Sequence, residues 1–327
     1  MGNAALRGLA DLQMVKSEDI MGLTVAIDAH NWLYKYLTTS VRFTERDAYT
    51  TEEGKEVANL IGIVKGISKL LKMNIHPIMV FDGVPTELKN DVILERRRGR
   101  ELREVKLTEA IEMEDEAEIA RLQSQTQRLT STIHKTTRDL FDLLDVPYIE
   151  APAEGEGQCS YMARHDERID CAGSDDYDTL LFGAPVTLRK LTGAGGVEMM
   201  RLSNTLQNNN ITWEQLVDIG ILSGTDFNVG LKGVGPKTAL KEIIRLGDVW
   251  KVLEERSESI EYVDQVRELF LQPKITEKYE FDLGMNPDIE GAKQYIVKDW
   301  EIPIEKVELG LDKIEEMTNQ TGLNRWL

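Results

Sequence analysis

The segment LTVAIDAHNWLYKYLTT, residues 23–39, decides the fold class of this chain. Its first part, LTVAID, is apolar and partly β-branched, which predicts a buried strand that ends at Asp28. Its second part, AHNWLYKYLTT, predicts a helix that follows directly. Three more short strands are predicted further along: HPIMVFDG at 76–83, VPYIEAP at 146–152 and DCAGS at 170–174. Strands that alternate with helices predict an α/β fold with a mostly parallel central sheet flanked by helices.

The other segments extend this pattern. Residues 57–73 place apolar side chains at helical spacing, and residues 88–145 form a long, highly charged helical stretch with few helix breakers. The segments APVTLRKL (184–191) and VEMMRL (197–202) predict a β-hairpin. Helices are predicted to dominate from residue 213 to residue 270.

Composition excludes several classes of protein. The 327 residues are 41% hydrophobic and 29% charged, so the chain is neither disordered nor fibrous. Without an apolar run of ~18 residues or a signal peptide pattern, we expect a cytoplasmic protein with no membrane partner. Cys159 and Cys171 are too few for a disulfide framework or a four-cysteine zinc site, and we expect two buried, reduced thiols.

The net charge of −18 taken alone argues against a nucleic-acid partner. Two other interpretations of this acidity remain open: a surface adapted to a high-salt cytoplasm, or many carboxylates that bind divalent cations. The distribution of the charges must decide between them.

Seven acidic residues lie at predicted strand ends or turns: Asp28, Asp82, Glu154, Glu156, Asp176, Asp178 and Asp226. Ligands of open α/β sheets bind beyond the carboxyl ends of the strands, and like charges crowded there require a cation. Four of these acids form two i,i+2 pairs, whose side chains would point to one side of an extended turn. A helix cap or a solvated turn remains the alternative for any single acid. Together, oxygen ligands favour Mg²⁺ or Mn²⁺.

The segment LKGVGPKTALKEII, residues 231–244, predicts a phosphate-binding turn. Gly233 and Gly235 permit a tight turn, Pro236 suits the first turn of a helix, and the helix N-terminus can bind phosphate. The pattern looks like a helix-hairpin-helix element. A P-loop fits poorly because Pro236 separates Gly235 from Lys237, and an ordinary turn after a helix remains open.

A basic stripe crosses the charged stretch. Lys89, Arg96, Arg100 and Arg103 fall on one face of a helix and could neutralise phosphates, although a solvated helix of mixed charge is the alternative. Tyr34, six residues after Asp28, could stack on a base or belong to the core.

These motifs together resemble the flap endonucleases of the structure-specific 5′-nuclease superfamily. The matching segments are VAIDAHNWLY, VFDGVPTELKNDVILERR, EAPAEGEGQ, GSDDYDTLLFG and LSGTDFNVGLKGVGPK, and they cover nearly the whole chain. The pattern is closest to archaeal members. The resemblance implies a single nuclease domain over 1–319, with a helical arch at about 84–132 and a helix-hairpin-helix at about 220–245.

The resemblance also implies roles for the residues. The seven acids match the ligands of two Mg²⁺ ions, with Mn²⁺ as a possible substitute. Lys89 and Arg96 match arch residues that act on the scissile phosphate, and Tyr34 matches a base-stacking aromatic. Gly233, Gly235 and Lys237 match the element that holds duplex DNA, often with a monovalent cation, and Arg100 and Arg103 would contact DNA. The implied activity is cleavage of 5′ flaps, with 5′–3′ exonuclease activity, in Okazaki fragment maturation and repair.

The last eight residues, QTGLNRWL (320–327), resemble the motif by which replication proteins dock on the sliding clamp. Gln320, Leu323, Trp326 and Leu327 fill this motif. We expect the tail to be disordered in the free protein and to form a helical turn on the clamp, although an amphipathic tail without a partner is the alternative.

A catalytically silent DNA-binding or scaffold protein on the clamp remains a second function class. A repair or junction-cutting relative is the main competitor within the nucleases.

Overall fold

The computed structural model describes residues 4–43, 58–84, 88, 105–106, 129–193 and 195–324. Within these residues, every helix is too short or too polar to cross a membrane. Cys159 and Cys171 are both buried and free, as the sequence predicts.

Seven strands are present in the described residues, and each predicted strand is confirmed. Their bounds are β1 Leu12–Val15, β2 Thr24–Asp28, β3 His76–Phe81, β4 Tyr148–Glu150, β5 Cys171–Gly173, β6 Val186–Arg189 and β7 Val197–Arg201. They form one sheet in the order β1-β7-β6-β5-β2-β3-β4. β2 pairs with β5 and β5 with β6 in parallel, whereas the predicted hairpin β6–β7 and the edge pair β7–β1 are antiparallel.

The pairing of β3 with β4 is also parallel. The Met79 N–H donates to the Pro147 carbonyl at 2.9 Å, and the Ala151 N–H donates to the Phe81 carbonyl at 2.9 Å. Residue numbers therefore rise together along both strands, which is the pattern of a parallel ladder. The prediction of a mostly parallel central sheet is confirmed.

Twelve α-helices are present in the described residues. Their bounds are α1 Ala29–Phe43, α2 Ala58–Lys72, α3 Ser131–Leu143, α4 Gly155–His165, α5 Asp178–Leu181, α6 Leu202–Asn209, α7 Trp213–Ser223, α8 Pro236–Leu246, α9 Val249–Arg256, α10 Val263–Leu271, α11 Ile289–Gln294 and α12 Glu308–Asn324. Short 3₁₀ turns lie at Ala4–Gly8, Ser17–Ile20 and Ile304–Lys306, and a π-helical turn lies at Tyr295–Asp299.

Helix α12 continues through Asn324, where the sequence predicts a disordered tail from Gln320. That expectation is wrong for the backbone of residues 320–324. Adding residues to an existing helix is favourable because each one gains a hydrogen bond without a new nucleation step.

Burial explains why the strands form the centre of the fold. All five residues of β2 are buried, as are the last five residues of β3 and all of β5. Strands buried on both faces are typical of parallel sheets covered by helices.

The described chain separates into two compact units. The first comprises residues 1–31, 80–94 and 149–279, and the second comprises residues 32–79, 95–148 and 280–327. The core of the first unit contains Phe182, Phe227 and Phe270, whose rings pack together with centroids 4.9 and 5.3 Å apart. Helices α7 and α8 pack against each other in this unit.

The second unit is built on α2. This helix packs against α3 and α12, and Asn59 on it donates to the hydroxyl of Thr136 at 2.8 Å. Gly66 lets α2 approach α1, since a Cβ at this position would collide with the Trp32 ring. The acids of interest all belong to the first unit.

Candidate active site

Two acids at the ends of neighbouring strands meet. Asp28 is the last residue of β2 and is 6% exposed, and Asp82 directly follows β3. One ligand atom each from Asp28, His30 and Asp82 lie within 4.8 Å of one another. The carboxyl ends of β2 and β3 lie side by side, so the strand-end argument correctly predicts that Asp28 and Asp82 converge.

The Asp82 carboxylate is held from two directions. The Gly155 N–H at the start of α4 donates to Asp82 Oδ1 at 2.7 Å. His30 Nδ1 lies 2.9 Å from Asp82 Oδ2 and 3.2 Å from the Asp82 backbone nitrogen. A Cβ on Gly155 would lie only 2.7 Å from Asp82 Oδ1, so a glycine is required for this close approach.

A second set of acids reaches the same place from α4 and from the β5–α5 turn. The Ser174 hydroxyl donates to Glu156 Oε1 at 2.5 Å and accepts the Asp176 N–H at 3.1 Å. Asn31 joins this set to β2, because its N–H donates to Asp28 Oδ1 at 3.0 Å and its amide donates to Asp176 Oδ2 at 3.1 Å. The bond to Asp28 is the one that an N-cap makes at the start of a helix.

Electrostatic interactions show that five acids lie together. Burial and the Asp82 charge raise the pKa of Asp28 from 3.8 to about 7, with a further contribution from Asp176. Burial raises the pKa of Glu156 well above its usual value, and the charges of Asp176, Asp28 and Asp178 add to it. We call Asp28, Asp82, Glu156, Asp176 and Asp178 the acid cluster.

The Cys159 thiol on α4 lies in the field of the same carboxylates. Burial, followed by the charges of Asp28, Glu156 and Asp82, raises its pKa well above the usual value. A cluster with this much negative charge in partly buried surroundings is unfavourable unless a cation neutralises it. Carboxylate oxygens are suitable ligands for a hard divalent cation, so the donor set fits such an ion.

The two i,i+2 pairs are not extended turns, and that part of the sequence prediction is wrong. Glu154 is the N-cap of α4 and Glu156 lies in its first turn, whereas Asp178 opens α5 and Asp176 precedes it. Helices begin at these acids because negative charge is favourable at a helix N-terminus. Glu154 is buried beside Gly155, and Asp226 lies half-buried in the loop after α7. Their roles as metal ligands remain predictions.

The glycine-rich turn joins α7 to α8. Gly233 has φ +76°, which favours glycine, whereas Gly235 has φ −93° and is the N-cap of α8 with Pro236 in its first turn. A Cβ on either glycine would meet no atom within 4 Å. Gly230 differs, since its φ is +72° and its Cβ would collide with the Gly224 backbone. The side chains of Lys237 and Lys241 are exposed on α8.

Several predicted residues lie outside the described part of the chain: Lys89, Arg96, Arg100, Arg103, Trp326 and Leu327. Tyr34 lies half-buried in α1, and Gln320 and Leu323 belong to the backbone of α12.

Sequence reasoning missed His30 and Asn31, which contact the acid cluster directly. Both follow Asp28 within the segment DAHN, so polar residues just beyond a strand end were the available signal.

Comparisons with known proteins identify relatives of this chain. The XPG N-terminal domain model matches residues 3–103, and the XPG I-region model matches residues 145–226. Flap endonuclease 1 of Haloquadratum walsbyi is 53% identical over 327 residues, and that of Halobacterium salinarum is 52% identical over 326 residues, with 100% of each chain covered.

Among solved structures, flap endonuclease-1 from Methanococcus jannaschii has a TM-score of 0.77 and 34% identity, covering 98% of this chain and 100% of that one. The similarity extends over the complete length of the relatives and includes the strands and turns that carry the acid cluster. The chain therefore belongs to the archaeal flap endonuclease 1 family of structure-specific nucleases.

Proposed function

We propose that this protein is a divalent-metal-dependent endonuclease that cuts 5′ flaps where the single strand joins the duplex, with 5′–3′ exonuclease activity. The observation that carries the proposal is the acid cluster, in which carboxylates from four chain segments converge beyond the strand ends. We place the activity in lagging-strand replication, at Okazaki fragment maturation, and in DNA repair. The full-length similarity to proteins named flap endonuclease 1 supports this role.

The acid cluster would hold two Mg²⁺ ions, with Mn²⁺ as a possible substitute, and Glu154 and Asp226 would complete the ligand set. When bound there, such ions would supply an activated water and stabilisation of the leaving oxygen of a phosphodiester. The protein's own part is to hold the carboxylates in place. The Gly155 N–H orients Asp82, the Asn31 side chain orients Asp176, and the Ser174 hydroxyl orients Glu156.

Duplex DNA would be held at the N-terminus of α8. The backbone N–H groups of a helix N-terminus favour phosphate, and open space around Gly233 and Gly235 leaves room for the DNA backbone. Lys237 and Lys241 add exposed positive charge on the same helix. A monovalent cation at the turn before α8 would be a further ligand of this element.

The remaining contacts follow from the family resemblance. Lys89 and Arg96 would stabilise the charge that develops on the scissile phosphate, and Arg100 and Arg103 would contact the DNA backbone. Tyr34 would stack on a base next to the cut. Gln320, Leu323, Trp326 and Leu327 would dock on a sliding clamp similar to proliferating cell nuclear antigen, with Trp326 as the dominant contact.

A panel of 5′-flap, bubble and four-way junction substrates, digested with Mg²⁺ across a KCl series, tests the proposal. We expect the flap substrate to be cut fastest. Asp178→Asn should lower the single-turnover rate by ~10³-fold or more while flap binding is retained, because only a cluster ligand is lost.

Asp170→Asn is the matched control for this experiment. Asp170 lies at the opposite end of β5, where its carboxylate accepts the Thr24 N–H at 2.7 Å, and an asparagine oxygen can accept the same bond. Its cleavage rate should equal that of the unmodified protein. Flap binding without cleavage by the unmodified protein would instead indicate a silent scaffold protein, and faster cleavage of junctions would indicate a junction-cutting enzyme.

A further inference from the structure

Arg189, the last residue of β6, contacts the turn that carries two acids of the cluster. Its guanidinium Nη2 and Nε donate to the Asp175 carbonyl at 2.6 and 3.2 Å, and Nη1 donates to the Tyr177 hydroxyl at 2.7 Å. The guanidinium carbon lies 3.9 Å from the centre of the Tyr177 ring. One side chain thus fixes both the backbone and a side chain of this turn.

Along the turn, the residues that Arg189 contacts alternate with the acids of the cluster. Residues 175 and 177 contact the guanidinium, whereas Asp176 accepts from Asn31 and Asp178 raises the pKa of Glu156. The turn therefore presents residues 176 and 178 to the acid cluster while residues 175 and 177 are held by Arg189.

The charge of Arg189 is balanced away from the cluster. Its side chain is 9% exposed, and Nη1 also donates to Glu198 Oε2 at 3.0 Å on β7. The Lys190 ammonium contacts the other oxygen of Glu198 at 2.5 Å. Because Glu198 carries this pairing, the role of the guanidinium toward the turn is directional hydrogen bonding, which an apolar side chain of similar size would not supply.

The turn has a second anchor at Asp175. Its Oδ1 accepts the Lys190 N–H at 2.5 Å, and its own N–H donates to Asn31 Oδ1 at 3.2 Å. Asp175 is therefore the point at which β6 and the start of α1 both hold the turn. Movement of the turn would displace Asp176 and Asp178 together.

We propose that Arg189 is a positioning residue for the nuclease reaction, which sets the cation affinity of the acid cluster by holding the turn at residues 174–178. The inference rests on the proposed metal-dependent function. Groups that orient metal ligands typically change metal affinity or activity by about 10–100-fold when they are replaced.

The test is Arg189→Lys, which keeps the positive charge but loses the planar guanidinium that donates to Asp175 and Tyr177 from separate nitrogens. We expect the Mg²⁺ concentration for half-maximal flap cleavage to rise about 10-fold or more. The rate at saturating Mg²⁺ should stay within about 3-fold of the unmodified protein, because the ligands themselves remain. In the DNA-free protein, Mg²⁺ binding is measured by the rise in unfolding temperature. The Mg²⁺ concentration that gives half of this rise should increase by the same factor as the cleavage midpoint.

Arg164→Lys is the matched control. Arg164 is half-buried, donates to the Phe182 carbonyl at 2.6 Å and lies 4.6 Å from the centre of the Trp213 ring, so it makes the same kinds of contact away from the acid cluster. We expect this variant to lose stability without a change in either Mg²⁺ midpoint. Equal Mg²⁺ midpoints for Arg189→Lys and Arg164→Lys would overturn the proposal and leave Arg189 as a structural residue only.

If Arg189→Lys does not fold, Tyr177→Phe provides the same test in milder form. It removes the hydroxyl that accepts from Arg189 Nη1 but keeps the ring, and it should raise both midpoints by about 3-fold or more. Unchanged midpoints in Tyr177→Phe would then refute the proposal. Absence of Mg²⁺-dependent cleavage in the unmodified protein would refute the proposed function, while the DNA-free measurement would still decide whether Arg189 controls cation binding.

Discussion

Replacing Asp28 by asparagine should stabilise the metal-free protein at neutral and higher pH, although it removes a ligand of the proposed cation site. Asp28 is 6% exposed at the end of β2. Burial and the neighbouring Asp82 charge raise its pKa from 3.8 to about 7 in the folded protein. The His30 charge and the Asn31 N–H act in the opposite direction but do not cancel this increase.

The sign of the effect follows from proton binding. Between about pH 4 and pH 7, the folded protein holds a proton on Asp28 that the unfolded chain has released. Stability from this group is therefore fully present below the unfolded pKa and is lost as the pH rises towards 7. At ~1.4 kcal/mol for each pH unit, a shift of about three units corresponds to about 4 kcal/mol of unfolding free energy.

Chemical denaturation in EDTA and constant KCl, near pH 5 and near pH 8, measures this difference. The free energy of unfolding of the unmodified protein, relative to Asp28→Asn, should fall by about 3 kcal/mol between the two conditions. Subtracting the two proteins cancels the titration of groups that do not interact with Asp28, whereas Glu156, whose pKa the Asp28 charge raises, still contributes to the difference. Added Mg²⁺ should stabilise the unmodified protein at the higher pH and have little effect on Asp28→Asn.

Asp170→Asn changes a residue at the exposed, opposite end of β5. Its free energy of unfolding should match that of the unmodified protein at both pH values. The reasoning is refuted if Asp28→Asn shows the same pH dependence as the unmodified protein in EDTA. That result would mean that the ionised carboxylate is tolerated in the folded state without a cation.

Three other changes test separate parts of the site. Gly155→Ala places a Cβ 2.7 Å from Asp82 Oδ1, so the carboxylate must move. The Mg²⁺ concentration for half-maximal cleavage should therefore rise about 10-fold. An unchanged midpoint would contradict the role of Gly155 in orienting Asp82. The valine side chain of Gly235→Val would enter open space, so the unfolding temperature should stay unchanged while the affinity for a duplex arm falls about 10-fold. Gly230→Val should instead destabilise the fold. Unchanged duplex affinity would make the turn purely structural. Truncation after Asn319 should leave the rate of flap cleavage within about 2-fold of the unmodified protein and should abolish clamp binding. Clamp binding that persists would place the docking site elsewhere.

Local sequence pattern predicts the strands well where both faces are buried. The strands β2, β3 and β5 consist of short apolar runs that end at polar residues, and the structure places each within the predicted segment. The edge strand β1 was missed because Leu12–Val15 is largely exposed and forms only through antiparallel pairing with β7. No periodicity within a four-residue segment indicates a partner so distant in the chain.

The candidate site was predictable to the extent that it depends on strand ends. Asp28 and Asp82 converge because β2 and β3 are neighbours in the sheet, and the sequence predicts both acids at strand ends, where ligands of open α/β sheets bind. The bonds from Gly155 to Asp82 and from Arg189 to Asp175 join residues that are far apart in sequence. Their geometry depends on the packed fold, so residue types and spacing alone could not reveal them.

Neutral hydrogen-bond donors orient three carboxylates of the acid cluster. Asp28 accepts a backbone N–H from Asn31, Asp82 accepts one from Gly155, and Glu156 accepts a hydroxyl from Ser174. These donors are neutral, so they orient the carboxylates while the raised pKa of Asp28 shows that negative charge there is still unfavourable. The buried cation Arg189 is paired with Glu198 and contacts the turn through the Asp175 carbonyl and through the hydroxyl and ring of Tyr177. The folded chain therefore orients these carboxylates, and a cation that binds near neutral pH would displace the protons that the raised pKa values of Asp28 and Glu156 favour.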